Sequence, residues 1–421
     1  MYADESSKPS GRILFALSLV PLIMVLGNSM IIPILPMLAN EYDLSSLQTG
    51  LLITLFSVPA GAMIPVAGFL SDRFGRKKII LWALVLYGTG GLIAGAAGLL
   101  LPSPYTWVVV GRIVQGVGAA GTAPIAMALI ADLYPPAHRS RALGVIESAN
   151  AFGKVVSPIL GALLALLAWY ALFFAFPLFI VPAIWVIARW VEDTETGAAP
   201  SFTKYKRDIA LVFRRHGHWL GIGFMLGAIQ MFFLFGMLFY LAEALDQIPS
   251  FSGVARGFLL AFPLLSLILT SIWCGRAIEC RAERIKLFII GGTAITAAIT
   301  AILPFVSKPA TLIGLLFFGG IGTGLVLPSL NTLITSAVGK AERGMITSLY
   351  SSVRFLGIAA GPAVFGSLLT RPFVLFWGTC GACLLLVLLT IRFLQRPGPI
   401  KSKNGHVRLL FTLPSTEPKD P

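Results

Sequence analysis

Four ionisable side chains stand where the neighbouring sequence is apolar: Arg112, Glu147, Lys154 and Arg354. Asn28, Asn150 and Gln230 add neutral polar groups in similar surroundings. A carboxylate in such a place can take up and give up a proton, and a cation can hold that carboxylate or an anionic ligand. Of the eighteen acidic residues, Glu147 is the one expected well inside an apolar run, RALGVIESANAFGKVVSPILG from Arg141 to Gly161. Read as a helix, that run puts Glu147, Asn150 and Lys154 at roughly 0°, −60° and −20°, on one face. Glu147 lies about 9 Å beyond Arg141 and Lys154 about 10 Å further on, too deep for easy snorkelling. An ionisable group at the centre of a bilayer costs on the order of 3 kcal/mol, so it normally faces protein or an aqueous cavity. Two readings follow. Glu147 and Lys154 form a structural pair, in which loss of one strands the other, or they line a cavity and exchange a proton or a ligand. Three deep cations against one deep carboxylate favour anionic or zwitterionic amphiphiles over lipophilic cations.

The elements that must position these groups are membrane helices. The 421 residues are 57% hydrophobic and 12% charged, about half the charge of a soluble domain. Runs of about 20 apolar residues span a bilayer, and twelve are present: 13–39, 47–70, 79–101, 106–131, 141–167, 169–190, 219–242, 253–275, 287–305, 309–333, 343–369 and 372–394. The expected fold class is an all-α polytopic membrane protein. The first run lacks a small-residue cleavage site and reads as a retained helix, bent toward its later end by Pro33 and Pro36.

Of the 32 Lys and Arg residues, Arg256, Lys308 and Arg371 fall in loops on the side opposite the N-terminus, and Arg112, Lys154 and Arg354 fall within spans. The others share the N-terminal side, which predicts a cytoplasmic N- and C-terminus in the plasma (inner) membrane. The net charge of +14 therefore reflects topology, and nucleic acid is not an expected partner. The expected organisation is a cytoplasmic tail 1–12, a six-helix half 13–190, a polar cytoplasmic linker 191–218 with an amphipathic helix, a second half 219–394 and a cytoplasmic tail 395–421.

The second run ends in GFLSDRFGRKK, Gly68 to Lys78. Glycines permit a tight turn, and the basic residues anchor at headgroups. The string resembles the signature loop of the major facilitator superfamily, with Gly68, Leu70, Asp72, Arg73, Gly75, Arg76 and Lys77 matching position by position. The resemblance implies two six-helix halves related by a pseudo-two-fold axis, and a cytoplasmic latch in which Asp72 and Arg76 pair, with Asp132 as a partner for Arg76. Arg112, Gln115 and Gly116 look like the superfamily's fourth-helix motif, whose arginine is implicated in proton coupling in related exporters. The glycines Gly116, Gly118 and Gly121 spell G-x-G-x-x-G, but inside a 26-residue apolar run no strand-to-helix turn exists, so they read as close helix contacts. Gly144, Gly153, Pro158 and Gly161 resemble the fifth-helix motif of the drug:proton antiporter branch, with Ser157 and Ala162 where that pattern has glycine. The segments NSMIIPILP and GKVVSPILG also look similar to Gram-positive exporters of catecholate siderophores and of multiple drugs.

An internal duplication runs at an offset of 204 residues: Gly116, Gly118, Pro124, Arg139, Gly153 and Pro158 recur as Gly320, Gly322, Pro328, Arg343, Gly357 and Pro362. The polar face does not recur, since Glu147, Asn150 and Lys154 correspond to Ser351, Arg354 and Ile358. Arg354 is thus a second-half charge facing the first-half set. Gln230 sits in a seventh run rich in Phe and Met, read mainly as packing.

The function expected from the resemblance is secondary active transport, a proton-coupled efflux of small amphipathic molecules by alternating access. Its energy would come from the proton gradient, with no cofactor, no metal and a monomeric chain. Export of an anionic aromatic metabolite such as a catecholate siderophore is a narrower version, and uptake of an organic anion by symport is an alternative. A membrane-embedded enzyme is disfavoured, because no H-E-x-x-H, G-x-S-x-G or P-loop motif is present and Cys380-x-x-Cys383 lies in an apolar run.

Overall fold

The computed structural model describes residues 11–134, 136–192, 202–248, 253–280, 284–306, 308–337 and 340–394. The tail 395–421 and residues 1–10 lie outside them. All regular elements among the described residues are helical: α1 (Gly11–Ser29), α2 (Leu35–Tyr42), α3 (Ser46–Phe74), α4 (Arg76–Leu100), α5 (Tyr105–Ala120), α6 (Ala123–Leu133), α7 (Pro136–Ala165), α8 (Ala171–Trp190), α9 (Phe202–Asp246), α10 (Val254–Cys280), α11 (Arg284–Ile302), α12 (Pro309–Ala337), α13 (Lys340–Leu368) and α14 (Pro372–Phe393). They make 12 candidate spans, the first from α1 with α2 and the fourth from α5 with α6. This is an all-α polytopic membrane protein. In hydrocarbon every backbone N–H and C=O needs an internal partner, so apolar runs of this length have no alternative to the helix.

Two spans are broken where the sequence weakens the helix. The first breaks after Ser29 and resumes through a tight turn, Ile32–Ile34, at Pro33 and Pro36, because proline offers no N–H to the preceding turn. The fourth breaks at Gly121 and Thr122. The linker departs from expectation. Its residues from Phe202 onward continue without interruption into the seventh span as one 45-residue helix, since no proline or positive-φ glycine intervenes to stop it. That span also runs one turn past 242, to Asp246, which brings Glu243 and Asp246 inside it.

The duplication is visible in the packing. Gly116 of α5 lies against the Phe56 carbonyl of α3, and Gly320 of α12 against the Pro263 carbonyl of α10. Gly153 of α7 meets Leu22 and Val25 of α1, and Gly357 of α13 meets the Ala228 carbonyl of α9. Each half then reaches the other through equivalent prolines: the Pro158 carbonyl of α7 touches Gly257 of α10, and the Pro362 carbonyl of α13 touches Gly50 of α3. Both contacts lie toward the end of the bundle away from the basic loops, called here the far end. There the Asn40 amide also donates to Asp246 across the halves at 3.0 Å, and Thr54 donates to the Ala359 carbonyl at 2.6 Å.

The α3 and α13 pair stays together along its length, from Gly366 beside Ser46 to Gly68 beside Ser348, with Ser352 donating to the Gly61 carbonyl on the way. The α7 and α10 pair behaves differently. It is in contact at Gly257 and at Gly253, which faces Leu166, whereas Gly144 and Gly275 near the basic end have open space beside them. At these two basic-end positions α7 and α10 are therefore not in contact, and the separation between them is called here the cleft.

A side chain at Gly50 or Gly257 must collide with backbone, which cannot move away as a flexible side chain can. Gly50→Val and Gly257→Val should each disfavour closure at the far end. In a cysteine-free background, a reporter cysteine at Ser46 should react several-fold faster with a membrane-impermeant thiol reagent in either variant than without it.

Candidate functional site

Helix α7 is held on two sides. Gly153 seats it on α1 and Gly161 lies against the Met30 carbonyl just past the end of α1, while Pro158 and Ala162 seat it on Gly257 of α10. Toward the basic end the face of Pro158 and Gly161 continues into Lys154, Asn150 and Glu147 at about 100° per residue. Pro158 has no N–H for the Lys154 carbonyl, so the backbone itself is locally polar at that depth. Ser157, where the export-type pattern has glycine, is buried and turns its hydroxyl back to the Gly153 carbonyl, so the departure adds no free polar group to the cleft.

Glu147 is exposed, while Asn150 and Lys154 are half-buried. Glu147 is thus less enclosed than its place in an apolar run implies. Asn150 donates to Glu147 over a long 3.5 Å, and its own Oδ1 is buried without a partner. Lys154 lies within electrostatic reach of Glu147 and of Arg354 from the other half. None of the three forms an ion pair among the described residues: the described pairs are Arg76 with Asp72, Arg76 with Asp132, and Arg256 with Asp246. The Arg354 guanidinium lies 5.5 Å from the centroid of the Tyr350 ring, its Nε and the Tyr350 hydroxyl both buried and unpartnered. Tyr350 in turn packs on Phe224 at 5.7 Å. Tyr350 belongs to the second-half core, its ring and hydroxyl against Gly227 of α9.

Arg112 occupies a different environment, wholly within the first half. It is fully buried and donates from Nε to the Leu52 carbonyl at 2.9 Å, and from Nη1 to the Gly27 carbonyl at 2.8 Å and Gln115 at 3.0 Å. Its guanidinium sits 4.3 Å from the Phe56 ring centroid. The Gly27 carbonyl belongs to the last turn of α1, where carbonyls lack helical partners, so Arg112 caps the break in the first span. Tyr87 reinforces the same turn by donating to the Met24 carbonyl at 3.1 Å. Asn28 is buried beside it with its Oδ1 unpartnered. No described hydrogen bond or ion pair joins this cluster to Glu147 or Lys154. Gln230 is likewise interior to its half, accepting from Thr296 at 3.3 Å and Thr323 at 3.0 Å.

At the basic end Arg76 bridges Asp72 at 3.3 Å and Asp132 at 2.9 Å. Gly75 makes the turn between α3 and α4 at φ 101°, ψ 133°, a conformation open in practice only to glycine. Arg73 is exposed and lies 5.6 Å from the Phe74 ring centroid. Lys77 donates to the Ala188 carbonyl near the end of α8, and Lys286 to the Ile391 carbonyl near the end of α14, each at 2.9 Å. Both halves thus fasten their last helix to their third by a lysine on C-terminal carbonyls.

The fold and the charged seam between halves define a membrane carrier. A family model described as Major Facilitator Superfamily matches residues 17–362 and 250–417, and the chain belongs to that superfamily. It is a transporter rather than an enzyme. It is 40% identical over 386 residues to the "Bacillibactin exporter" of Bacillus subtilis (strain 168), covering 90% of this chain and 95% of that one. It is 25% identical over 357 residues to "Multidrug resistance protein 2" of the same organism, covering 82% and 85%. Among solved structures, a D-xylose-proton symporter superposes with a TM-score of 0.74 at 15% identity over 91% of this chain and 98% of that one. The human organic anion transporter MFSD10 (TETRAN) gives 0.71 at 19% identity over 91% and 100%. At such identities these two establish the fold alone.

Replacing Arg112 with glutamine should remove two charge-assisted bonds to carbonyls and lower stability by about 3 kcal/mol or more. Thermal unfolding in detergent checks this, with Arg112→Lys expected between the wild type and Arg112→Gln. Asp132→Asn, at a partly exposed pair, should cost about 1 kcal/mol or less in the same assay.

Proposed function

We propose that this carrier is a proton-coupled exporter of small amphipathic molecules, driven by the proton gradient without a cofactor and working as a monomer in the plasma (inner) membrane. The basic end with both termini is cytoplasmic, following the distribution of Lys and Arg. The described conformation, closed at the far end and open between α7 and α10 at the basic end, is then inward-facing. The observation that carries the reading is Glu147: an exposed carboxylate in a span, within electrostatic reach of a half-buried lysine with which it forms no ion pair. Protonation of Glu147 from the far side removes a negative charge from the field of Lys154, and proton and substrate are taken as alternative occupants of this face as access alternates.

The likeness to a bacillibactin exporter over nearly the whole chain supports export, and supports an anionic aromatic metabolite such as a catecholate siderophore as the narrower substrate. Uptake by symport is the second reading, favoured by the two residues, Ser157 and Ala162, that depart from the export-type glycine pattern. The buried Ser157 hydroxyl, turned onto its own helix, weakens that objection.

Everted vesicles with an imposed proton gradient test both. Gradient-driven accumulation of an aromatic substrate is expected, and Glu147→Gln should abolish the effect of the gradient while leaving downhill exchange within a few-fold of wild type. Full gradient coupling in Glu147→Gln would overturn the assignment.

A further inference from the structure

The far end of the bundle carries a charged cluster that the transport reading leaves unused. Asp246, at the end of α9, has both carboxylate oxygens engaged: Oδ1 pairs with Nη2 of Arg256 from α10 at 2.7 Å, and Oδ2 accepts from the Asn40 amide of α2 at 3.0 Å. The first contact lies within the second half and the second crosses between halves. Arg256 immediately precedes Gly257, the glycine that receives the Pro158 carbonyl of α7. The cluster therefore sits where the halves close on each other.

Glu243 stands three residues before Asp246 on the same face of α9. It is half-buried, and its Oε1 is buried with no donor. The charged groups in its field are Asp246 of its own helix and Arg256 of α10. The titratable groups nearby are engaged elsewhere: Tyr240, one turn earlier, packs on Phe376 of α14 with ring centroids 5.2 Å apart, and Glu41, beside Asn40 on α2, accepts from the Trp169 indole at 3.2 Å. Two carboxylates thus share one guanidinium, and Asp246 is the one that holds it. Arg256 keeps a buried Nε without a partner, an edge that can serve a second carboxylate. With Glu243 as a neutral acid the cluster is balanced. With Glu243 ionised it carries a net negative charge, which costs most when closure has shut out water.

We propose that Glu243 is a gating proton site at the far end. A proton on its carboxyl leaves Arg256 to Asp246, so that Asp246 holds Asn40 and the halves stay closed there. Loss of that proton turns Glu243 onto Arg256 and loosens the bond that crosses the halves. This rests on the carrier reading, in which the far end opens and closes, and adds a proton distinct from the one assigned to Glu147. It is taken from far-side water while that end is open and given back to the same side on reopening, so it is not carried across. The sign follows: acid on the far side favours the closed far end, and alkali favours the open one. Acid outside then speeds the return of the emptied carrier to the described conformation.

The test is a distance measurement by double electron–electron resonance on the full-length protein in lipid nanodiscs. Spin labels go on Leu167→Cys and Ala255→Cys, exposed positions at the far end of the first and second half, in a background without the native cysteines. Raising the pH from mildly acidic to mildly alkaline should move the population several-fold from a short distance to a longer one. Glu243→Gln should hold the short distance at both pH values, and Asp246→Asn should raise the long-distance population even in acid. A labelled parent whose distances ignore pH, or a pH response that survives Glu243→Gln, would overturn the proposal; the parent comparison serves even where a variant fails to fold. A response that needs Glu243, found without gradient-driven efflux in everted vesicles, would sustain the gate and reject proton-coupled export. Gradient-driven efflux with no such response would do the reverse.

Discussion

Backbone touching backbone at a few glycines is the constraint on which the rest of this molecule depends. Lipid is as apolar as leucine, so helices in a bilayer gain little by hiding apolar side chains from it, and association relies on close packing and on polar contacts. Here Gly50 and Gly257 receive the carbonyls of Pro362 and Pro158, and these two approaches join the halves at the far end. The same prolines break the internal hydrogen-bond ladder of α7 and α13 beside the charged seam. Closure at one end and polarity at the centre are thus two consequences of one pair of residues repeated by duplication.

The buried charges divide into two kinds. Arg112 is satisfied by carbonyls and an amide within its own half and by the face of Phe56. Its role in the described conformation is to finish the broken helix of the first span. Lys154 and Arg354 are not satisfied in that way, and they come from opposite halves. A charge that is fully bonded inside one rigid half cannot report on the relation between halves. A charge left open at the seam can, because its energy changes when the cleft changes width.

The polar groups at the two ends differ in kind as well. At the basic end Arg76 joins Asp72 and Asp132 of the same half, and the turn that presents it exists because residue 75 is glycine. At the far end Asn40 bonds Asp246 across the halves, and Asp246 is held in place by Arg256 at 2.7 Å. Glu243 lies in the same span with Oε1 buried and unpartnered. It escaped notice in the sequence because the apolar run fades before it, whereas the helix continues to Asp246.

The sequence by itself determined the spans, the repeated halves and the identity of the seam residues. Spans follow because a 20-residue apolar run in a bilayer has only the helix to satisfy its backbone, and the face shared by Glu147, Asn150 and Lys154 follows from helical periodicity alone. The latch loop and the duplication were also legible, since glycine, proline and charge recur at fixed spacing. Only the tertiary structure decided that Arg112 belongs to the interior of one half, that Glu147 is exposed, and that Arg354 rests on Tyr350. Those outcomes depend on which helix faces which across hundreds of residues, and on which end of the bundle is closed. Neither is encoded in the period of any single helix.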